Sequence, residues 1–139
     1  MANPAPGFSK HPNYQVDIQP LEAELVVKLG SLVITQTSQA VILQETKHRD
    51  VWYVPLSELN MQHLRKTQTQ TYCPFKGHAS YWSVCDQAGE LLVEDAIWAY
   101  ESPYDECASI TDYASFYTNK VDLYIDGSIA NKDGPGWTQ

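Results

Sequence analysis

The sequence predicts a mainly β protein, and three observations carry that prediction. Short runs of alternating apolar and polar residues recur along most of the chain, from "EAELVVK" at 22–28 to "VDLYIDG" at 121–127. Nine tyrosines and four tryptophans supply flat, bulky side chains that pack well on a pleated surface. No βαβ rhythm occurs and at most two short helices fit, so the sheets should be antiparallel, curled or closed to hide their edges.

Residues 1–20 hold four of the eight prolines and little periodicity, and read as an extended or partly ordered arm. The run at 22–28 and "SLVITQT" at 31–37 form a strand pair around Gly30. In "QAVILQET" at 39–46, Val41, Leu43 and Glu45 share one side, which puts a carboxylate beside two aliphatic residues. "VWYVP" at 51–55 is a short strand stopped by Pro55, because proline cannot donate to a ladder. "SELNMQHL" at 57–64 is the best helical segment, with Ser57 able to cap it.

The polar stretch 67–71 reads as a loop. "ASYWSVC" at 79–85 is a strand, and Gly89 turns it back into "LLVEDAIWAYES", where Ala96, Trp98 and Tyr100 face one way. A turn or short helix at 103–110 follows. "YASFY" and "VDLYIDG" then flank Thr118-Asn119-Lys120 as a hairpin. The folded unit spans 21–128 as one domain, with a loose tail over 129–139.

Composition limits the partners. A net charge of −8 and a pI near 4.7 repel phosphate backbones and anionic lipid, so neither nucleic acid nor membrane is expected. Cys73, Cys85 and Cys107 lack zinc-knuckle spacing, and their odd number argues against a disulfide framework and for a reducing, cytoplasmic setting. The first residues lack the apolar core of a signal peptide, and no window nears the roughly 20 apolar residues of a membrane span.

Chemistry concentrates in "TYCPFKGHASYWSV" at 71–84. Neither phosphate-cradling glycine pattern occurs, and Lys76-Gly77 precedes a strand rather than a helix. The nearest carboxylate pairs, Glu94 with Asp95 and Asp122 with Asp126, are poorly arranged to share metal ions. Cys73 has Lys76 three positions on, within a turn forced by Pro74 and Gly77. It is either a small buried hydrophobe or an activated thiol. Glu45 on an apolar face needs a partner or a cavity, and Lys76 is the mate expected for it, either as a structural lock or as part of a pocket.

The segments "ILQE", "WYVP", "YCPFKGHASYWSV", "AIWAYESPYDECASITDYASFY" and "VDLYIDG" in this order resemble a bacterial and fungal family known as domain of unknown function 427. The resemblance covers roughly 30–127. It implies a tent-like arrangement of two roughly orthogonal antiparallel sheets, partly closed, with one or two short helices. Relatives of that arrangement often bind zinc through paired CxxC knuckles, which this sequence lacks, so no metal site is expected. Some members carry a nucleotidyltransferase label. The family's recurring positions fall here on Glu45, Tyr53, Pro55, Cys73, Pro74, Lys76, Gly77, Trp82, Tyr100, Pro103 and Tyr117.

The resulting expectation is a single-domain protein that binds a small planar or partly apolar molecule in a pocket between sheets. Glu45 and Lys76 are its polar groups, and Tyr53, Trp82, Trp98, Tyr100 and Tyr117 are its walls. In an enzyme, Glu45 would be the acid or base, Lys76 would steady negative charge and Cys73 would be the nucleophile. The alternative to both is an interaction module using a sheet edge or the arm, as monomer or homodimer. The sequence names no cofactor.

Overall fold

The computed structural model describes residues 2–130, so the tail expected over 129–139 lies almost wholly outside them. Among the described residues eleven strands form two antiparallel sheets, with only short helical turns between them. The strands are β1 (Val16–Pro20), β2 (Leu25–Leu29), β3 (Leu32–Thr37), β4 (Val41–Glu45), β5 (Val51–Pro55), β6 (Leu64–Cys73), β7 (Gly77–Cys85), β8 (Leu91–Ala99), β9 (Tyr113–Phe116), β10 (Asp122–Ile125) and β11 (Ser128–Ile129). The large sheet runs β1-β4-β5-β9-β8-β7-β6 and the small one β11-β10-β2-β3, each open at both ends rather than closed into a barrel.

Apolar burial sits on both faces of the large sheet. On the face toward the small sheet, Val54, Trp82, Val84, Ile97 and Phe116 meet Leu25, Val27, Ile34 and Leu123. On the other face, Leu43, Tyr53, Tyr81, Trp98, Tyr100, Cys107 and Ile110 form a second cluster. Strand alternation produces this split: Trp52 and Val54 take one side of β5, Val51 and Tyr53 the other. Ala96 joins the inter-sheet cluster rather than Trp98 and Tyr100, because Asp95 has positive φ (48°) and the β7–β8 pairing is irregular just beside it.

Three local readings are corrected. The stretch 67–71 belongs to the ten-residue edge strand β6, whose threonines, glutamines, Arg65 and Lys66 suit an edge that must not pair with another chain. The segments 113–117 and 121–127 are not a hairpin. β9 pairs with β5 and β8, while β10 pairs with β2 and β11, so the 117–121 connection crosses between sheets. The helix at 57–64 is two 3-10 turns, Leu56–Glu58 and Met61–His63. It is interrupted where Leu59 bridges Thr35 and the Asn60 amide donates to the Val33 carbonyl.

The N-terminal segment is docked. One helical turn, Gly7–Lys10, precedes β1, which pairs with β4 in register Val16 to Glu45. Gly7 N–H donates to the Pro74 carbonyl (2.9 Å), and Asn3 and Ala5 amides donate to the carboxylates of Asp105 and Glu106. No helix among the described residues is long and apolar enough to cross a membrane.

Candidate functional site

Glu45 ends β4, and Lys76 stands in the turn between β6 and β7, whose backbone is fixed by Lys76 N–H to Cys73 carbonyl (3.2 Å) and Tyr104 N–H to Lys76 carbonyl (2.9 Å). Gly77 takes φ +116°, a conformation costly for any side-chain-bearing residue, and so lets the turn swing the lysine inward. The ammonium Nζ donates to Glu45 Oε1 at 2.7 Å, with side chains only 1% and 2% exposed. Cys73 Sγ lies 4.0 Å from the same nitrogen. Tyr14 donates its hydroxyl to Glu45 Oε2.

The ammonium keeps donor capacity to spare. An ammonium has three N–H donors, yet Lys76 meets one carboxylate oxygen and a distant sulfur. The hydroxyl of Tyr100, fully buried in the same cluster, has no hydrogen-bond partner among the described residues. Around it, Trp98 Nε1 donates to Tyr53 Oη (3.3 Å), the Trp98 and Tyr117 rings lie 4.6 Å apart, and Tyr81 hydrogen-bonds both Thr71 and Tyr117.

The structure therefore gathers Glu45, Lys76, Cys73, Tyr53, Trp98, Tyr100 and Tyr117 on one side of the large sheet, with the N-terminal segment lying against Glu45 and the Cys73–Gly77 turn. Trp82 is on the other side, packed in the inter-sheet cluster with the Lys66 ammonium 5.4 Å over its ring. Tyr14 and Phe75, stacked at 3.8 Å with an 11° tilt, escaped the sequence reading. Tyr14 lies in a proline-rich stretch without periodicity, so no local signal ties it to Glu45.

A separate cavity of about 300 Å³ opens between the sheets, lined by Arg49, Asp50, Trp52, Ser115, Phe116 and Leu123 among others. Ser115 Oγ donates to the Trp52 carbonyl (2.8 Å), tying two of its walls together. Among the described residues no group of three or more His, Cys, Asp or Glu is placed to hold a metal ion.

The family model described as domain of unknown function (DUF427), labelled NTP_transf_9, matches residues 17–127. The chain belongs to this family. The match to DUF427 takes in β1 from Asp17 onward, β2 to β10 and the Cys73–Gly77 turn, and leaves out β11 and residues 1–16, which include Tyr14. The cover over the charge network thus stands outside the DUF427 match. No curated protein matches the chain.

Burial pushes several protons to stay on. The thiol of Cys107 is raised to about 11, chiefly by desolvation, and the phenols of Tyr14, Tyr53, Tyr81 and Tyr100 are held above the ordinary tyrosine range for the same reason. Above about pH 9 the unfolded chain releases these protons while the folded chain retains them, so the folded state binds more protons and loses stability as pH rises. Urea midpoints should fall steadily from about pH 9 upward, with a shallower fall for Tyr100→Phe. At neutral pH that variant should be neutral or stabilising, since it removes a buried hydroxyl without a partner. A midpoint flat through this range would contradict the retained protons.

Proposed function

We propose that this protein binds a small, planar, partly apolar molecule in the cavity between its two sheets. The observation that supports it is the space itself: about 300 Å³ with Trp52 and Phe116 on one wall and Leu123 on the other. An engineered apolar cavity of about 150 Å³ accepts benzene, so this one has room for about two fused rings. The apolar walls suit flat ring faces, while Ser115 and Thr118 within, and Arg49 and Asp50 exposed beside them, suit a polar edge. Native mass spectrometry of the protein purified from its own cells should show a retained small molecule. Trp52→Ala, which removes one aromatic wall, should lower its occupancy about tenfold, equivalent to about 1.4 kcal/mol. A bare mass under gentle conditions would overturn the reading.

The charge network favours a second reading, an enzyme. Its specific support is a buried ammonium with donors to spare beside a carboxylate and a thiol. There Glu45 would move a proton, Lys76 would hold a negatively charged oxygen, and Cys73 would serve as nucleophile. Such chemistry requires the N-terminal cover to be displaced.

A further inference from the structure

The N-terminal cover places a phenol where a ligand would sit. The Tyr14 ring stacks on Phe75, Phe8 meets Phe75 edge-on at 5.0 Å, and the Tyr14 hydroxyl reaches past them to Glu45. The ring is only partly buried, and an outward-opening cavity of about 530 Å³ adjoins it. That cavity is lined by Lys10 and His11 from the N-terminal segment and by Lys47 and His48 from the β4–β5 loop, with no carboxylate among the described residues of its lining. In a chain of net charge −8, two short basic pairs more than 30 positions apart thus face one hollow. The concentration of positive charge there favours an anion.

We propose that the charge network is a second binding site, for a planar aromatic anion that displaces Tyr14. Its ring stacks on Phe75, a polar substituent at one end replaces the Tyr14 hydroxyl on Glu45, and its anionic end lies among Lys10, His11, Lys47 and His48. The site is distinct from the inter-sheet cavity, and neither needs the other to be occupied. Tyr14 is a tethered competitor, present at the high effective concentration of an intramolecular group, so the wild-type protein binds more weakly than the site itself allows.

The test uses 4-hydroxybenzoate, with phenol as its uncharged counterpart, followed by calorimetry and by NMR of the aromatic side chains, after a melting curve confirms that each variant is folded. Wild type should bind 4-hydroxybenzoate at millimolar levels with the Tyr14 and Phe75 signals shifting, and Tyr14→Ala should bind it about tenfold more tightly. Tyr14→Phe, which keeps the stack but not the hydroxyl, should fall between them. Adding Lys10→Ala and Lys47→Ala to Tyr14→Ala should weaken 4-hydroxybenzoate about fivefold or more and leave phenol unchanged, and high salt should erase the same difference. The proposal is overturned if 4-hydroxybenzoate binds folded Tyr14→Ala no better than phenol, because the variant would then offer only a ring-shaped hole. It is also overturned if the folded Tyr14 variants bind neither compound, or if binding leaves the Tyr14 and Phe75 signals of wild type unmoved. Retention of a molecule at Trp52 is read separately and is unaffected by these outcomes.

Discussion

Lys76→Ala is expected to cost about 3–5 kcal/mol of folding stability, seen as a lower urea midpoint with an unchanged slope. The lysine is 1% exposed, and its removal leaves the Glu45 carboxylate with Tyr14 as its one side-chain donor among the described residues. A buried charge left without its partner keeps the full cost of desolvation, whereas an exposed pair such as Lys66 with Glu101 contributes about 1 kcal/mol or less. Glu45→Gln should cost a comparable amount, because it leaves the ammonium facing a neutral amide. The double variant Lys76→Met, Glu45→Leu should recover most of the loss, since an apolar pair of similar volume removes both charges together. A loss below about 1 kcal/mol for Lys76→Ala would show that water reaches the pair and that the site is not enclosed. The double variant also separates roles: it should fold and keep its inter-sheet ligand while losing 4-hydroxybenzoate.

Much of this arrangement was legible because strand alternation is a strict two-residue code. It placed Glu45 beside Leu43 on a buried face, and the Pro74–Gly77 turn identified Lys76 as the mate. What alternation does not report is which strands pair. β9 and β10 look like a hairpin locally, but β9 has partners on both sides in the large sheet, and Val121 with Leu123 fills the space between sheets. Those long-range contacts outweigh a three-residue turn. The edge strand β6 was invisible for a related reason: an edge is kept polar to prevent pairing, so it carries the composition of a loop.

The sidedness of the aromatic residues was less legible. The sequence grouped Trp82 with Tyr53, Trp98, Tyr100 and Tyr117 because aromatic residues are dense around the same elements. An aromatic residue has no sidedness until register is known, and Trp82 pairs with Ile97 while Tyr81 pairs with Trp98. One step along β7 therefore separates the inter-sheet core from the charge network. The same step on β5 places Trp52 at the open cavity and Tyr53 in the buried cluster on the opposite face. Two chemically different settings back onto a single layer of strands, an open cavity between the sheets and a buried charge network reached by Tyr14 of an N-terminal segment that no periodicity announces.

Trp98→Ala is expected to cost about 3–5 kcal/mol, the range for deleting a large buried aromatic side chain. Trp98 is fully buried, meets the Tyr53 ring edge-on at 6.4 Å and lies 4.6 Å from the Tyr117 ring, so the hole is bounded by rigid rings with little freedom to close it. Trp98→Phe keeps much of the volume but deletes the indole N–H that donates to Tyr53 Oη. It should cost about 1–3 kcal/mol, because the Tyr53 hydroxyl then stays buried without its donor. Tyr53→Phe removes the other half of that bond, and the two single losses should exceed the loss in the double variant by about 0.5–1.5 kcal/mol. Strict additivity would mean that the two rings hold each other by packing alone. A Trp98→Ala variant that melts with wild type would mean that this side of the sheet is not a core, and the enclosure of Lys76 and Glu45 would lose its floor.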